Sequence, residues 1–448
     1  MDLMLENSIL NKHANIAVIG LGYVGLPIAI RLSNVGFKVF GIDISEEKVH
    51  RLNSGKSYII DIHDEDIDAV INKNLYVESD YSILSDIDVI IICVPTPLTE
   101  AKQPDVSYIN NVVDNIIKYL SREVLIVLES TTYPGSTEEL ITAVIEKRKG
   151  LTVGKDFFVC YSPERVDPSN KKYEVKNTPK VIGGATNKCL EIGIALYKSF
   201  VDTIVPVSST QVAELAKLFE NTFRSVNIAL VNELTQMADR MGLNIWEVID
   251  AASTKPFGFM TFYPSAGVGG HCIPIDPIYL SWKAKVFNHY NRFIELATDI
   301  NMNMPRYVVN QIAEILSSEN KCLNKSNILI VGIAYKKDVD DLRESAALEI
   351  FHLLQEKGAE VTYHDPYVSN FKSGENTIFS QELTKANLVQ VDLVVIIADH
   401  SNIDYQLIID NSGLIYDTRN ITKNYRGNNI VLLGGYRKDN NKKAFFKE

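Results

Sequence analysis

The stretch GVGGHCIPIDP, residues 267–277, places Cys272 after a glycine-rich turn and shortly before Asp276. A nucleophilic thiol needs access, a base and donors for the developing oxyanion. The glycines here are read as exposing the backbone around the thiol, and Asp276 as a nearby acid or base. A second group lies on a helical pattern without proline, residues 209–242, closed by Gly242. Glu214, Lys217, Asn221 and Arg224 fall at steps of three and four along it, which makes one polar stripe on a mostly apolar rod. Such a stripe on a buried helix lines a site. A third group is Gly20-Leu21-Gly22-Tyr23-Val24-Gly25, which follows an apolar run and opens a helical one, with Asp43 ending the next apolar run. In that order the first glycine permits a tight turn, the second lets a pyrophosphate approach the backbone, and the third lets helix and strand pack closely. Asp43 would accept hydrogen bonds from an adenosine ribose and repel a 2′-phosphate, so the spacing predicts NAD rather than NADP. CVPTP (93–97), with Pro95 and Thr96, and ESTTYPG (129–135), with Thr131, each follow a strand pattern. That is where an open α/β sheet gathers its ligands.

These groups need elements to hold them. Residues 15–45 read as a complete βαβ opening, and further strand patterns at EVLIVLES, DFFVCYS and KVIGGA extend a mostly parallel sheet over the first 200 or so residues. The order of strand, turn, helix, glycine and strand starts again at 327–366, ending in Asp365, with a longer turn and no glycine triplet. Polar SSENKCLNKS (317–326) reads as the linker. The expected fold is α/β, with two Rossmann-like doubly wound domains joined by a long central helix and helical segment. The boundaries are 1–208, 209–316 and 317–448, with a ligand cleft between the two domains. Leu215, Leu218, Phe219, Phe223, Leu230 and Leu234 spread too widely around the long helix for one neighbour, which predicts a homodimer or larger homo-oligomer.

Composition excludes several classes. At 448 residues and 46% hydrophobic the chain can bury substantial cores, and a net charge of −11 argues against a general nucleic-acid binder. Five cysteines without paired spacing show neither a metal-ligand pattern nor a disulfide framework, which fits a reducing compartment. The opening residues show no signal-peptide pattern and no apolar run is long enough to span a bilayer. The expectation is a cytoplasmic protein with no metal and no membrane partner.

Six motifs in order, GLGYVGLP, STTYPG, SPERVDP, AELAKLFENTFR, GVGGHCIPIDP and YKKDVDDLRES, resemble the nucleotide-sugar 6-dehydrogenases over nearly the whole chain. GGHCIPIDPIYLSWKA looks most like the UDP-N-acetylglucosamine 6-dehydrogenases. His271 and Ile275 stand where UDP-glucose enzymes typically carry serine and lysine, and PSAG (264–267) replaces the expected PGPG. The resemblance implies oxidation of the C6 alcohol of a UDP-sugar to a carboxylate with two NAD⁺, feeding surface polysaccharide synthesis. Cys272 would hold the intermediate first as a thiohemiacetal, then as a thioester. By motif position, Lys217 and Asn221 stabilise oxyanions, Asp276 assists proton transfer, and Glu164 and Thr131 position water. Gly20, Gly22, Tyr23, Val24, Gly25, Asp43, Pro95, Thr96, Thr131 and Arg343 would touch NAD. Substrate contacts would come from Glu164, Arg165, Val166, Lys217, Asn221, Arg224, Gly269, His271, Tyr335 and Lys336. The roles of His271 and Arg165 stay open. Arg343 and Lys336 could bind ligand charge or form surface ion pairs with Asp338 or Asp341. UDP-N-acetylmannosamine, UDP-N-acetylgalactosamine, UDP-glucose and GDP-mannose are alternative substrates. A two-electron dehydrogenase acting through Lys217 would leave Cys272 idle. A non-catalytic nucleotide-sugar sensor would not need Cys272, Lys217 and Asp276 together.

Overall fold

Short apolar runs bounded by glycine, proline or polar turns become strands, and the longer patterns between them become helices. The structure, a computed structural model, describes residues 4–59, 61–121, 123–165, 172–425 and 427–435. Its first sheet contains β1 (Asn15–Ile19), β2 (Lys38–Ile42), β3 (Leu75–Glu78), β4 (Val89–Ile92), β5 (Leu125–Leu128), β6 (Phe158–Tyr161), β7 (Lys180–Gly184) and β8 (Ile204–Val207). They lie in the order β3-β2-β1-β4-β5-β6-β7-β8. Every neighbouring pair is parallel except β6 and β7. Strands β4, β5 and β6 are buried at all positions, because helices cover both faces of such a sheet. That is why they read as unbroken apolar runs. Strand order reverses between β1 and β4, so the loops after these strands, starting at Gly20 and Cys93, open at the crevice where doubly wound sheets bind ligands.

The second sheet comprises β9 (Asn327–Val331), β10 (Glu360–His364), β13 (Leu393–Ile396), β14 (Ile415–Asp417) and β15 (Ile430–Leu432), all parallel, in the order β10-β9-β13-β14-β15. A hairpin of β11 (Asn370–Ser373) and β12 (Asn376–Phe379) stands apart from it. Chain reversal of order here falls between β9 and β13, so the internal repeat seen in the sequence is a repeat of fold.

The helix Thr210–Met241 runs uninterrupted for 32 residues and stops where Gly242 adopts φ +68°. Packing divides the chain into one unit of residues 1–220 with 278–290 and another of 221–277 with 291–448, so the division falls inside this helix. Leu218 is buried, whereas Leu215, Phe219, Phe223, Leu230 and Leu234 are exposed in the single chain. Among the described residues no helix is long and apolar enough to cross a membrane.

Candidate active site

The dinucleotide fingerprint is built as its spacing requires. Gly20 has φ +89°, and a Cβ there would lie 2.6 Å from the Cys93 carbonyl oxygen. A Cβ on Gly25 would lie 1.9 Å from the carbonyl oxygen of Gly20, so this glycine is needed for the turn to meet the helix Gly25–Asn34. Gly22 differs, since a Cβ there would meet nothing within 4 Å. Its bare backbone faces open space, and the helix that follows has Val24 at its N-cap without a side-chain cap. Open backbone next to a helix N-terminus suits a pyrophosphate. Asp43, 7% exposed at the end of β2, accepts the Leu21 N–H at 2.9 Å and the Ser45 N–H at 3.0 Å, with Lys48 Nζ at 3.3 Å. A carboxylate has about four lone-pair sites, so acceptor capacity remains for a ribose. These residues fit a bound dinucleotide. Tyr23 is partly exposed.

The loops after β4 and β5 are tied down from the long helix and from the helix Asp276–Val286. Tyr279 donates its hydroxyl to the carbonyls of Thr96 and Pro97, both at 3.0 Å, which fixes the loop of Pro95 and Thr96. Glu214, fully buried, accepts from Gly135 N at 2.5 Å, Ser136 Oγ at 2.9 Å, Thr137 N at 2.8 Å and Thr137 Oγ1 at 2.6 Å. The first member of the sequence stripe therefore lines no site; it anchors the Thr131–Gly135 loop. Periodicity showed the face on which Glu214 lies but not its partner. Burial pushes its carboxyl above the usual carboxylate range, against those donors.

Glu164 belongs to a buried ionic group whose other members, Glu129, Lys180 and Tyr197, were absent from the sequence reading. Lys180 Nζ sits 2.5 Å from Glu129 Oε2 and 3.1 Å from Glu164 Oε2, and the Tyr197 hydroxyl donates to Glu129 Oε1. Burial, together with Glu164, outweighs Lys180 and pushes Glu129 up to about 7. Burial alone would lower Lys180, yet Glu129 and Glu164 hold it above its ordinary range. The available signal was a charge at each end of an apolar strand, Glu129 after β5 and Lys180 opening β7. Arg165 bridges Glu220, with Nη2 at 2.7 Å from Oε1, and donates to the Pro179 carbonyl at 2.8 Å. Val166 lies outside the described residues.

In the other unit, Cys272 is exposed and reduced. Its carbonyl accepts the N–H of Ile275 at 3.2 Å and of Asp276 at 2.9 Å, so the thiol stands one turn before the helix that begins at Asp276. A helix N-terminus favours a thiolate. Asn221 Nδ2 donates to Asp276 Oδ2 at 2.5 Å, both groups being buried. Gly267, Gly269 and Gly270 were expected to expose the backbone, and the structure gives all three another purpose. A Cβ on Gly269 would fall 2.7 Å from Tyr335 Cβ, one on Gly270 2.7 Å from the Tyr335 ring, and one on Gly267 2.8 Å from Ala346 Cβ. Gly270 N also donates to the Arg343 carbonyl at 2.9 Å. The Cys272 loop thus lies flat on the loop after β9, at a distance only glycine allows.

On that second loop, Arg343 pairs with Asp341, Nη2 to Oδ2 at 2.6 Å, while Tyr335 and Lys336 are half-buried. His271 is half-buried and Arg224 exposed. Lys217 is 9% exposed, and among the described residues its ammonium has no acidic partner. Asn221 lies one turn further along the same face. No group of three or more His, Cys, Asp or Glu able to hold a metal occurs among the described residues.

A glycine-turn dinucleotide site on a doubly wound sheet, with a second doubly wound sheet presenting a thiol loop, defines an NAD-dependent oxidoreductase. Models of the UDP-glucose/GDP-mannose dehydrogenase family match its NAD binding domain at residues 14–201, its central domain at 211–303 and its UDP binding domain at 329–424. The chain belongs to this family of nucleotide-sugar dehydrogenases. It is 36% identical over 416 residues to Protein CapL of Staphylococcus aureus, covering 91% of this chain and 96% of that one. It is likewise 36% identical over 359 residues to the UDP-N-acetyl-D-glucosamine 6-dehydrogenase of Pseudomonas aeruginosa, covering 80% of this chain and 84% of the other. The structure of a UDP-N-acetylmannosamine dehydrogenase from Pyrococcus horikoshii superimposes with a TM-score of 0.86 at 35% identity, covering 94% of this chain and 99% of that one.

Proposed function

We propose that the protein oxidises the C6 alcohol of a UDP-N-acetylhexosamine, with UDP-N-acetyl-D-glucosamine as first substrate, to the uronic acid through an acyl-Cys272 intermediate. The observation that carries this reading is Cys272 itself, an exposed thiol before a helix N-terminus on a loop whose glycines hold it in place. Bound NAD⁺ supplies the hydride acceptor for each of two oxidations. After the first, the Cys272 sulfur adds to the C6 aldehyde carbon and the oxygen takes a proton. Oxidation of this thiohemiacetal leaves a thioester, and water cleaves it to the carboxylate and the regenerated thiol. Holding the aldehyde on sulfur keeps it from escaping between the oxidations. Lys217, buried and among the described residues without an acidic partner, suits a developing oxyanion, with the amide of Asn221 beside it on the helix. Asp276 moves the proton, and Glu164 with Thr131 orients the water.

The mannosamine epimer is the second reading, favoured by the likeness to the Pyrococcus horikoshii structure. Turnover of a panel of sugar nucleotides with NAD⁺ decides between the two. The exposed Leu215, Phe219, Phe223, Leu230 and Leu234 on one helix support a homodimer, because an uncovered apolar stripe of this size favours burial against a second copy. An active monomer in sedimentation would refute that. For the chemistry, Cys272→Ala should abolish formation of two NADH per sugar acid. Cys272→Ser should stall as a slowly hydrolysed oxygen ester, seen by intact mass. Full steady-state turnover by Cys272→Ala would remove the cysteine from the mechanism.

A further inference from the structure

The buried ionic group around Lys180 is larger than a structural ion pair needs. Taking charges out of water costs several kcal/mol per ion, and an apolar replacement of such a group is often no less stable. The position of Lys180 is specific. Its side chain is 4% exposed, and its ammonium lies between Glu129, whose side chain is fully buried, and Glu164, whose side chain is 13% exposed. Glu129 is fixed from behind by the Tyr197 hydroxyl, and the Tyr197 ring centroid lies 5.8 Å from the Lys180 nitrogen. Glu164 Oε2 takes the lysine, and Oε1 accepts the Arg165 N–H at 2.7 Å. Both oxygens of Glu164 are thereby oriented.

We propose that Lys180 is a positioning residue for Glu164: its ammonium, set from behind by Glu129, aims the Glu164 carboxylate and keeps it ionised to take a proton from the water that cleaves the acyl enzyme. The proposal rests on the role given to Glu164 above. Proton balance is simple. Water loses one proton to Glu164 as its oxygen bonds the acyl carbon, the Cys272 sulfur leaves as thiolate, and Glu164 returns the proton to solvent. Among the described residues, the charged and titratable groups that interact with Glu164 include Lys180 on β7, Glu129 after β5 and Cys93 after β4. Tyr197 adjoins them from the helix Asn187–Lys198, and Glu220 reaches the site through Arg165 from the long helix. Lys180 is the cation inside this set, with Arg165 at its edge already paired to Glu220.

Two substitutions should therefore act in opposite directions. Lys180→Met leaves two carboxylates facing each other in a buried place, and one of them takes up a proton. Glu129→Gln leaves Lys180 wholly to Glu164. The quantity to follow is the decay rate of the acyl-Cys272 adduct against pH, read by intact mass after a quench. For Lys180→Met the acid limb of this profile should move to higher pH by about one unit or more, and for Glu129→Gln to lower pH. Lys180→Arg, which keeps the charge, should restore most of the decay rate. A role in folding alone would lower the melting temperature without moving the two limbs apart. If Lys180→Met does not fold, Glu129→Gln carries the test, and an unmoved limb there overturns the proposal. Glu164→Gln separates the two readings. Unimpaired acyl-enzyme decay in that variant would remove Glu164 from the mechanism, and this inference with it. Blocked decay in Glu164→Gln together with unmoved limbs in the other variants would overturn the inference alone.

Discussion

The two halves solve the same turn and then diverge. Gly20 after β1 and Gly332 after β9 have φ of +89° and +84°. A Cβ on them would fall 2.6 Å from the Cys93 carbonyl oxygen and 2.4 Å from that of Ala398, each the residue or second residue past the adjacent strand. An aspartate ends the next strand in each half and takes the N–H just past the glycine, Leu21 to Asp43 at 2.9 Å and Ile333 to Asp365 at 2.8 Å. From there the first half enters its helix directly at Gly25, whereas the second inserts a loop before its helix begins at Ala346. Asp365 accepts three further N–H groups, from Ala334, Tyr367 and Val368, and lies 3.0 Å from His400 Nε2. His400 Nδ1 in turn accepts the Asp338 N–H at 2.9 Å, so its Nε2 is the protonated nitrogen that donates to Asp365. One ring therefore clamps both ends of the segment carrying Tyr335 and Lys336. Asp43 keeps spare acceptor capacity for a ligand, while Asp365 is used up in shaping a loop. A fold motif can be copied while its acidic residue changes task.

The largest expected effect of this difference is on stability. Asp365→Ala strips a buried, neutral histidine and four backbone donors of their acceptor, and each buried donor left unsatisfied costs about 1 to 3 kcal/mol. Denaturant unfolding should show the loss in the unit that contains the second sheet. Burial alone would raise the Asp365 carboxyl, but the His400 hydrogen bond and the backbone donors hold it below the ordinary range. Its folded pKa being depressed, the stability it contributes is complete above the unfolded value of about 3.9 and is lost as pH falls through the folded value. The deficit of the variant, full at neutral pH, should shrink in acid below about pH 4.

Asp43→Ala should break the comparison from the other side. The same type of residue at the equivalent place should here cost ligand affinity more than folding. Losing a charge-assisted contact to the ribose amounts to about 1.5 to 3 kcal/mol, or roughly tenfold to a hundredfold weaker NAD⁺ binding by titration. Discrimination against NADP⁺ should relax as well. Unchanged cofactor preference would mean that Asp43, like Asp365, serves only its turn.

Much of this was legible in the sequence because it is local. The glycine triplet with Asp43 and the second turn with Asp365 each lie within one strand–turn–helix–strand unit, their paired residues 22 and 32 positions apart, and the long helix, read as 209–242 and found at Thr210–Met241, is set by its own periodicity and Gly242. What escaped depends on pairs distant in the chain. Glu129 and Lys180 lie 51 residues apart, and each reads alone as a charge at the end of an apolar strand. Glu214 reaches its loop across 77 to 79 residues. Strand β8 is an edge strand whose short apolar run is interrupted by Pro206, and a proline inside a run argues against reading it as a strand. The glycines before Cys272 were seen, but their reason was Tyr335 for Gly269 and Gly270 and Ala346 for Gly267, each more than sixty positions away, which no spacing rule could supply.

The smallest effect on folding should come from Gly22→Ala, and it is the sharpest test of what the first half keeps that the second has given up. Gly20 and Gly25 are required by contacts inside the chain, since a Cβ on either would press against backbone oxygen. Gly22 has no such requirement: its φ is not in the left-handed region and its missing Cβ meets nothing within 4 Å. Glycine to alanine at a position whose backbone an L residue can adopt removes unfolded-state freedom and stabilises by about 0.4 to 1 kcal/mol. Melting of the free protein should accordingly stay level or rise slightly. The space beside Gly22 is where the turn and the helix N-terminus face a pyrophosphate, so the added methyl group should weaken NAD⁺ binding by at least tenfold, about 1.4 kcal/mol. Sugar-nucleotide binding by the second half should be untouched. The measurement is a pair of titrations, NAD⁺ and UDP-sugar, beside a thermal melt. A variant that melts early would mean that Gly22 packs against the chain. One that melts normally and binds NAD⁺ at full strength would move the pyrophosphate away from this turn.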